Sequence, residues 1–190
     1  MNLFYLSEDV QECAAFHCDV HVIKMITENF QTMVSALIRH GVDQSLLPKT
    51  KSGTTPKESH KNHPVTRWVG DSYCNFMKSG EIGLALCAEY TKRYGRTHFC
   101  ESGIRYMRDN AKTLTPNLYS TKIEMTPYAI AISPDAECRK LPFFDLLHPI
   151  DKYRMYYIFD KSKIATWKFT ETPHWFCLDY VDWMDELYKI

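Results

Sequence analysis

The segment FHCDVHVIKMITENFQTM, residues 16–33, constrains the fold more than any other part of the chain. Its apolar residues recur every three or four positions, as they do along the buried face of an amphipathic α-helix. Ser7 is a candidate N-cap and Gly41 a candidate C-cap, so the pattern predicts one helix over about residues 8–39. The predicted core stripe consists of Phe16, Val20, Ile23, Ile26, Phe30, Met33, Val34 and Leu37.

A second stripe on the same segment is polar. It consists of His17, His21, Lys24, Glu28 and Gln31, which are spaced 4, 3, 4 and 3 residues apart. At about 100° per residue these side chains fall within an arc of roughly 80°. A carboxylate beside an amine and an imidazole can act as a general base or stabilise a developing positive charge. This stripe is therefore the main candidate for an active site. The alternative is an exposed Lys24–Glu28 ion pair with two incidental histidines.

Composition limits the compartment and the partners. A chain of 190 residues with 45% hydrophobic and 14% aromatic residues is expected to form one folded domain over residues 1–190. The net charge is zero, so any nucleic-acid surface must be local. Seven cysteines without a CxxC spacing, and no basic leader or long apolar run, predict a reducing compartment and no membrane partner. We expect the cytoplasm, or the host nucleus or cytoplasm if the protein is viral.

The remaining segments predict a mainly α, compact single-domain helical bundle with long irregular loops and a short N-terminal extended segment. Residues 45–62 are rich in Pro, Gly, Ser, Thr and Lys and are expected to form a mobile surface loop. A helix from Pro64 is expected to break or bend at Ser79–Gly80 and to end near Gly95. A final helix is predicted from Pro149 to about Trp167, and an acidic C-terminal tail over residues 178–190.

Two other stretches carry groups that are typical of nucleic-acid surfaces. In NHPVTRW, residues 62–68, His63 precedes a predicted helix start and Arg67 follows in the first turn, which makes a candidate phosphate site. The final helix interleaves basic and aromatic residues, which suit phosphates and bases respectively. Its candidate contacts are Tyr153, Arg154, Tyr157 and Lys161. The alternatives are helix capping by His63 and inward packing of about half of these aromatic rings.

A metal site is a further alternative for the two histidines of the polar stripe. His17 and His21 are four residues apart and could chelate an ion together with His60 and His63. Such a site would need ligands from the predicted loop and would place Lys24, a cation, beside the metal. We therefore expect neither a metal nor another cofactor.

The sequence CDVHVIKMITENFQ, residues 18–31, resembles the helix of endonuclease V-type pyrimidine dimer DNA glycosylases. In that family an Asp-x-His sequence is followed, seven residues after the histidine, by the catalytic glutamate; Asp19, His21 and Glu28 occupy those places. Residues 63–95 are similar to the family's middle helices, and YAIAIS and KYRMYY look like its C-terminal segment. The matching positions of the middle helices are His63, Val65, Thr66, Cys87, Glu89, Lys92, Arg93 and Gly95. The resemblance is greater still to uncharacterised bacterial and phage members with His-Pro-x-x-x-Trp.

The resemblance implies an enzyme that flips a base out of the DNA stack, because the glycosidic bond is inaccessible in a stacked duplex. In the family a glutamate assists the attack of an amine on the sugar C1′, and a Schiff base then allows strand cleavage. The family's amine belongs to an N-terminal threonine that follows a removed methionine. Here Asn2 is too large for the usual removal, so the amine would be that of Met1 or Lys24. Two arginines of the family are replaced by Thr27 and Gln31, which leaves the target base open.

Together these patterns predict a monomeric DNA-processing enzyme, a base-excision N-glycosylase with or without AP lyase activity, whose partner is duplex DNA with a damaged or modified base. Its candidate catalytic residues are Met1, His21, Lys24, Glu28 and His63. Its candidate DNA contacts are His17, Gln31, Arg67, Tyr153, Arg154, Tyr157 and Lys161. The alternatives are an enzyme that modifies nucleotides or bases without excision, and a DNA-binding protein without enzymatic activity.

Overall fold

The computed structural model describes residues 1–177, which form helices and turns and contain no strand. The α-helices are α1 (Val10–Phe16), α2 (Asp19–Arg39), α3 (Pro64–Val69), α4 (Tyr73–Tyr94), α5 (Glu101–Asp109), α6 (Ala111–Leu114), α7 (Pro116–Thr121), α8 (Pro149–Tyr156) and α9 (His174–Cys177). Short 3₁₀ turns cover Gln44–Leu46, Glu137–Lys140 and Phe144–Leu146. The predicted mainly α fold is confirmed. The predicted acidic tail lies outside the described residues.

Helices α2 and α4 pack against each other at the centre of the fold. At their crossing the side-chain amide of Asn29 donates to both the carbonyl oxygen and the hydroxyl of Ser79, each at 2.9 Å. A Cβ atom on Gly83 would lie 2.2 Å from Asn29 Oδ1, so only glycine fits at that position. The predicted break at Ser79–Gly80 is wrong, because α4 continues through these small residues and uses them for close packing. The break lies earlier, between α3 and α4, where Ser72 caps α4.

The helix predicted over residues 8–39 is two helices. Helix α1 ends at Phe16, α2 begins at Asp19, and the two residues between them are extended. The N-cap of α1 is Asp9 and not Ser7, because the Asp9 carboxylate accepts hydrogen bonds from the first-turn amides. The interruption changes which side chains of α2 face the core. Val20 and Ile23, both predicted to be buried, are 43% and 41% exposed.

A buried arginine of α4 explains this interruption. Arg93 donates to the carbonyl oxygens of Ala15 at 2.8 Å and His17 at 2.9 Å, which would otherwise accept hydrogen bonds from a continuing helix. The same guanidinium pairs with Asp19 at 3.1 Å and with Glu89 at 2.7 Å. Because a buried cation needs compensating acceptors, this cluster binds the α1–α2 junction firmly to α4.

The chain before α1 is an extended segment in the core, as the sequence predicts. Leu3, Phe4, Tyr5 and Leu6 are at most 4% exposed. The hydroxyl of Tyr128 donates to the Leu3 carbonyl oxygen at 3.2 Å, and Arg154 Nε donates to the Leu6 carbonyl oxygen at 3.0 Å. The apolar run YAIAIS, residues 128–133, therefore lies beside the N-terminal segment without forming a ladder of backbone hydrogen bonds.

The C-terminal part of the described chain and the loop after α2 both form hydrogen bonds with α2. Helix α8 continues into a π-helical turn over Tyr157–Lys161 and ends there, several residues short of the predicted end at Trp167. The chain then passes α2, where the Thr166 carbonyl oxygen accepts from the backbone amide of Asp19 at 2.8 Å. The loop after α2 is pinned at Ser59, which exchanges two 2.9 Å hydrogen bonds with the Ser35 hydroxyl. No helix within residues 1–177 combines the length and the apolar character needed to span a bilayer.

Candidate functional site

The N-terminal amine lies against the middle of α2. The nitrogen of Met1 is 3.7 Å from Glu28 Oε2, and the Met1 and Glu28 side chains are only 3% and 12% exposed. The backbone amide of Asn2 donates to the same carboxylate oxygen at 2.5 Å. Two consecutive nitrogens of the chain therefore converge on one partly buried carboxylate, which fixes the direction from which the amine approaches it.

The side chain of Asn2 holds this arrangement in place. Its Nδ2 donates to the Ala131 carbonyl oxygen at 2.9 Å, and its Oδ1 lies 2.9 Å from the Leu3 amide and 3.1 Å from the Tyr153 hydroxyl. The Tyr153 hydroxyl also accepts from the Ala131 amide at 3.0 Å. Tyr153 has no exposed surface, so its prediction as a DNA contact is wrong. Tyr153 instead supports Asn2, the residue that follows Met1 and holds the Met1 amine in position.

A second amine reaches the same carboxylate from the solvent side. Lys24 Nζ is 3.5 Å from Glu28 Oε1, one helical turn away, and the Lys24 side chain is 64% exposed. Glu28 thus lies between the chain terminus and a lysine. The two amines differ in their surroundings, because the first belongs to a partly buried residue and the second extends into water on an exposed side chain.

His63 joins these groups from the start of α3. Its Nδ1 accepts from the Val65 amide at 3.3 Å, so the ring caps α3, as the capping alternative predicted. Burial and the positive charges of the Met1 amine and His60 lower the pKa of His63, while the charge of Glu28 opposes them. Because Nδ1 is an acceptor, the neutral ring carries its proton on Nε2. We call Met1, Lys24, Glu28 and His63 the amine–carboxylate site.

His17 and His21 lie in the core and not in this site. His17 is fully buried, and its Nδ1 is 2.7 Å from the Cys13 carbonyl oxygen. His21 is 5% exposed, and its Nδ1 is 2.7 Å from the hydroxyl of Tyr157, which is itself fully buried. The prediction of His17 and Tyr157 as DNA contacts is therefore wrong, and His21, predicted to be catalytic, lies outside the amine–carboxylate site. Within residues 1–177 no three His, Cys, Asp or Glu side chains converge as metal ligands would.

The buried histidines predict that the protein loses stability in weak acid. Burial lowers the pKa of His17 from 6.5 to about 4 and that of His21 from 6.5 to about 3. Below about pH 6.5 the unfolded chain binds protons that the folded chain does not, so the free energy of unfolding decreases as the pH falls. We expect a loss on the order of 3 kcal/mol from His17 alone, measured by urea unfolding from about pH 7 to about pH 4.

The variant His17→Gln separates this effect from general acid denaturation. A glutamine amide can still donate to the Cys13 carbonyl oxygen but does not titrate. The variant should show a shallower pH dependence of stability than the unaltered protein. The exposed His174, changed to Gln, is the matched control and should leave the slope unchanged. Equal slopes in all three proteins would contradict the assignment.

The remaining predicted DNA contacts differ in how they are used. Arg154 is half-buried, and its guanidinium lies 5.6 Å from the Phe16 ring centre besides donating to Leu6, so it stabilises the N-terminal segment. Its role as a phosphate contact stays a prediction. Lys161 lies 4.6 Å from the Tyr156 ring centre. Gln31 and Arg67 are exposed, and Arg67 falls in the last turn of the short helix α3 and not in its first.

Lys24 and Lys161 both lie close enough to His21 for their charges to act on it. Both of their charges lower the pKa of the buried His21, after the larger effects of burial and of His17. Lys24 belongs to the amine–carboxylate site, so Lys161, which is 137 positions after Lys24 in the sequence, lies in the neighbourhood of that site. We call the surface that carries these two lysines, next to Glu28, the basic surface around Glu28.

A pocket of about 600 Å³ lies beside the site, on the stretch of α2 that carries Glu28. Thr27 and Gln31 line it, together with residues of the loop after α2 and of the segment that joins α4 to α5. The sequence contains no periodic pattern that predicts this pocket, because the basic residues come from two irregular segments. The composition of the loop after α2, which is rich in lysine, was the only signal in the sequence.

Comparison of the chain with protein-family models, with curated proteins and with solved structures finds no match.

Proposed function

We propose that the protein is a base-excision DNA glycosylase of the amine type, with an associated AP lyase activity on a damaged or modified base. The observation that carries the proposal is the Met1 amine held 3.7 Å from the Glu28 carboxylate. An amine next to a carboxylate in a partly enclosed site is the pair that attack on a sugar C1′ requires. The resemblance of residues 18–31 to the glutamate helix of endonuclease V-type glycosylases supports the same reaction.

In the proposed reaction the lone pair of the neutral Met1 amine forms a bond to C1′ of the target nucleotide. The electrons of the glycosidic bond leave with the base, which takes up a proton. Glu28 stabilises the positive charge that develops on the sugar and accepts a proton from the attacking amine. Opening of the sugar ring converts the new bond into a protonated Schiff base. Loss of a proton from C2′ then expels the 3′ phosphate and cleaves the strand.

Met1 is a better candidate nucleophile than Lys24. As a class, α-amines titrate about 2.5 pKa units below lysine side chains, so a larger fraction is neutral near pH 7. Lysine nucleophiles are activated by desolvation, whereas the Lys24 side chain is 64% exposed. We therefore assign Lys24 to the stabilisation of negative charge, on Glu28 or on a phosphate. His63, with its proton on Nε2, is the candidate hydrogen-bond donor to the leaving base. The proton that the base takes up is balanced by the one that Glu28 accepts from the amine.

Duplex DNA would bind over the basic surface around Glu28, where Lys24 and Lys161 can neutralise phosphates and Gln31 and Arg67 are exposed. The target nucleotide must leave the stack to bring its C1′ to the amine. The site suits this requirement because Glu28 retains 12% exposure and is not sealed by the N-terminal segment.

Borohydride trapping tests the proposal directly. Incubation with duplex DNA that contains an abasic site, in the presence of borohydride, should reduce the Schiff base to a stable covalent complex. Mass spectrometry of the digested complex should locate the adduct on the peptide that begins with Met1. A complete absence of trapping across the pH range of stability would refute the lyase step. The modification of bases without excision and binding without catalysis would then be the functions to test.

The basic surface predicts a DNA affinity that depends steeply on salt. Each phosphate neutralised on B-DNA contributes about 0.9 to the slope of log affinity against log salt concentration. Lys161→Ala should reduce the magnitude of that slope by about this amount, as measured by fluorescence anisotropy across a salt series. Lys140 pairs with Glu137 at 2.7 Å outside the site, and Lys140→Ala is the matched control. The same slope in both variants would show that Lys161 does not contact the backbone.

A further inference from the structure

The pocket beside the amine–carboxylate site has an uneven distribution of charge. Among the described residues that line it, three are cations and none is a carboxylate. The cations are Lys51 and Lys57 of the loop after α2, and Arg96 of the segment that follows α4. In a chain with 23 basic and 23 acidic residues, these three cations in one pocket lining are a local concentration of positive charge. A ligand that fits it would carry a negative charge.

Arg96, Lys51 and His98 all line this pocket. The Arg96 guanidinium lies 5.7 Å from the Tyr90 ring centre, which orients its planar head. Burial of His98, followed by the charges of Lys51 and Arg96, lowers the pKa of this histidine, while the charge of Glu101 opposes them. The Cys100 amide donates to His98 Nδ1 at 3.2 Å, so the neutral imidazole carries its proton on Nε2. Two cations and this N–H donor are groups that suit the oxygens of a phosphate.

The floor of the same pocket is apolar and aromatic. Phe30, Val34, Tyr90 and Cys100 are at most 6% exposed and form its base, while Phe99 is 48% exposed and presents its ring at the edge. The volume of about 600 Å³ is within the range, roughly 300–1,000 Å³, of pockets that enclose small ligands. The pocket therefore combines a place for a planar ring with a place for a phosphate.

The loop that forms one wall is shaped by its own hydrogen bonds. A turn at Gly53, with φ of +76°, folds the segment back so that the Thr54 carbonyl oxygen accepts from the Thr50 amide at 3.0 Å. Pro56 is buried, and Ser59 is bonded to Ser35 of α2. Lys51 and Lys57 thus belong to a loop whose backbone is held by hydrogen bonds on both sides of them.

We propose that this pocket binds a mononucleotide, with the phosphate at Lys51 and Arg96 and the base against Phe99 and the apolar floor. The nucleotide could come free from solution or as one unit of a DNA strand, since both present the same phosphate and ring. This inference does not depend on the chemistry of Met1 and Glu28, because the pocket has its own charges and walls.

Titration with deoxyadenosine monophosphate, followed by NMR or calorimetry, tests the proposal. The mononucleotide should bind about tenfold or more tightly than either deoxyadenosine, which lacks the phosphate, or inorganic phosphate, which lacks the ring. Arg96→Ala combined with Lys51→Ala should weaken nucleotide binding by a similar factor, and Phe99→Ala should weaken it without affecting phosphate. The control is Lys112→Ala, which removes a lysine that lies over the Tyr119 ring outside the pocket.

The source of the nucleotide follows from a competition experiment with abasic duplex DNA. Displacement of the mononucleotide by DNA would assign the pocket to a unit of the strand, and simultaneous binding would assign it to a free nucleotide. Both results support the nucleotide class. The proposal is overturned if deoxyadenosine monophosphate does not bind, if it binds no better than phosphate or deoxyadenosine, or if the double variant binds it as the unaltered protein does. Borohydride trapping in the double variant reports separately on the amine–carboxylate site.

Discussion

A protein with one glycine added in front of Met1 should lose covalent trapping on abasic DNA. The addition converts the Met1 nitrogen into an amide, which is not nucleophilic, and moves the new terminal amine by up to about 3.6 Å. The Met1 side chain is only 3% exposed and holds Met1 in position, so the added residue cannot occupy the place of the amine next to Glu28. We expect trapping to fall below detection, measured as the fraction of DNA shifted on a denaturing gel.

Two comparisons separate loss of the nucleophile from loss of the fold. The same glycine added after Ile190 is the matched control and should leave trapping unchanged. Circular dichroism and DNA affinity should be the same in both extended proteins, because Asn2 keeps its bonds to Ala131 and Tyr153. Full trapping in the N-terminally extended protein, together with its loss in Lys24→Met, would move the role of nucleophile from Met1 to Lys24.

Glu28→Gln should separate DNA binding from catalysis. Glutamine has nearly the same shape, and its side-chain oxygen can still accept from the Asn2 amide. It cannot take up the proton of the attacking amine or offset the positive charge on the sugar. A positioned acid–base group contributes about 10² to 10⁴ to a rate, so we expect single-turnover trapping to slow by that factor. DNA affinity should be equal or higher, because a negative charge near the phosphates is removed.

The same variant also tests the simplest alternative for the polar stripe. If Glu28 were only the partner of Lys24 on the helix surface, its loss would cost about 0.3–0.5 kcal/mol of stability and leave the reaction rate intact. Glu124 is an exposed carboxylate outside the site, and Glu124→Gln should change neither quantity. An unchanged rate in Glu28→Gln would remove the main reason for considering the protein an enzyme.

Local sequence determined most of the helices and part of the site. The spacing of apolar residues along residues 19–39 and the capping residue Gly95 depend on neighbours within one or two turns, and such signals can be read directly. The pairing of Lys24 with Glu28 follows from the same helical geometry. His63 as the cap of α3 is also local, because its ring bonds an amide two residues away.

Tertiary structure decided the rest, because it depends on contacts between distant parts of the chain. Periodicity could not show that Arg93 would end α1 by taking the carbonyl oxygens of Ala15 and His17, which precede it by 78 and 76 residues. The same limit explains why His17 and His21 were wrongly assigned to a polar face of the helix. An imidazole counts as polar in a sequence pattern, but each of these rings has a buried hydrogen-bond partner.

The position of the N-terminal amine is the clearest case. Sequence suggested that Met1 would remain and could serve as an amine, but not that it would lie against Glu28. That contact requires Asn2 to bond both Ala131 and Tyr153, more than 120 residues away along the chain. A helical pattern specifies which side chains share a face, whereas the burial of a face and the arrival of a chain terminus beside it are set by packing of the whole core.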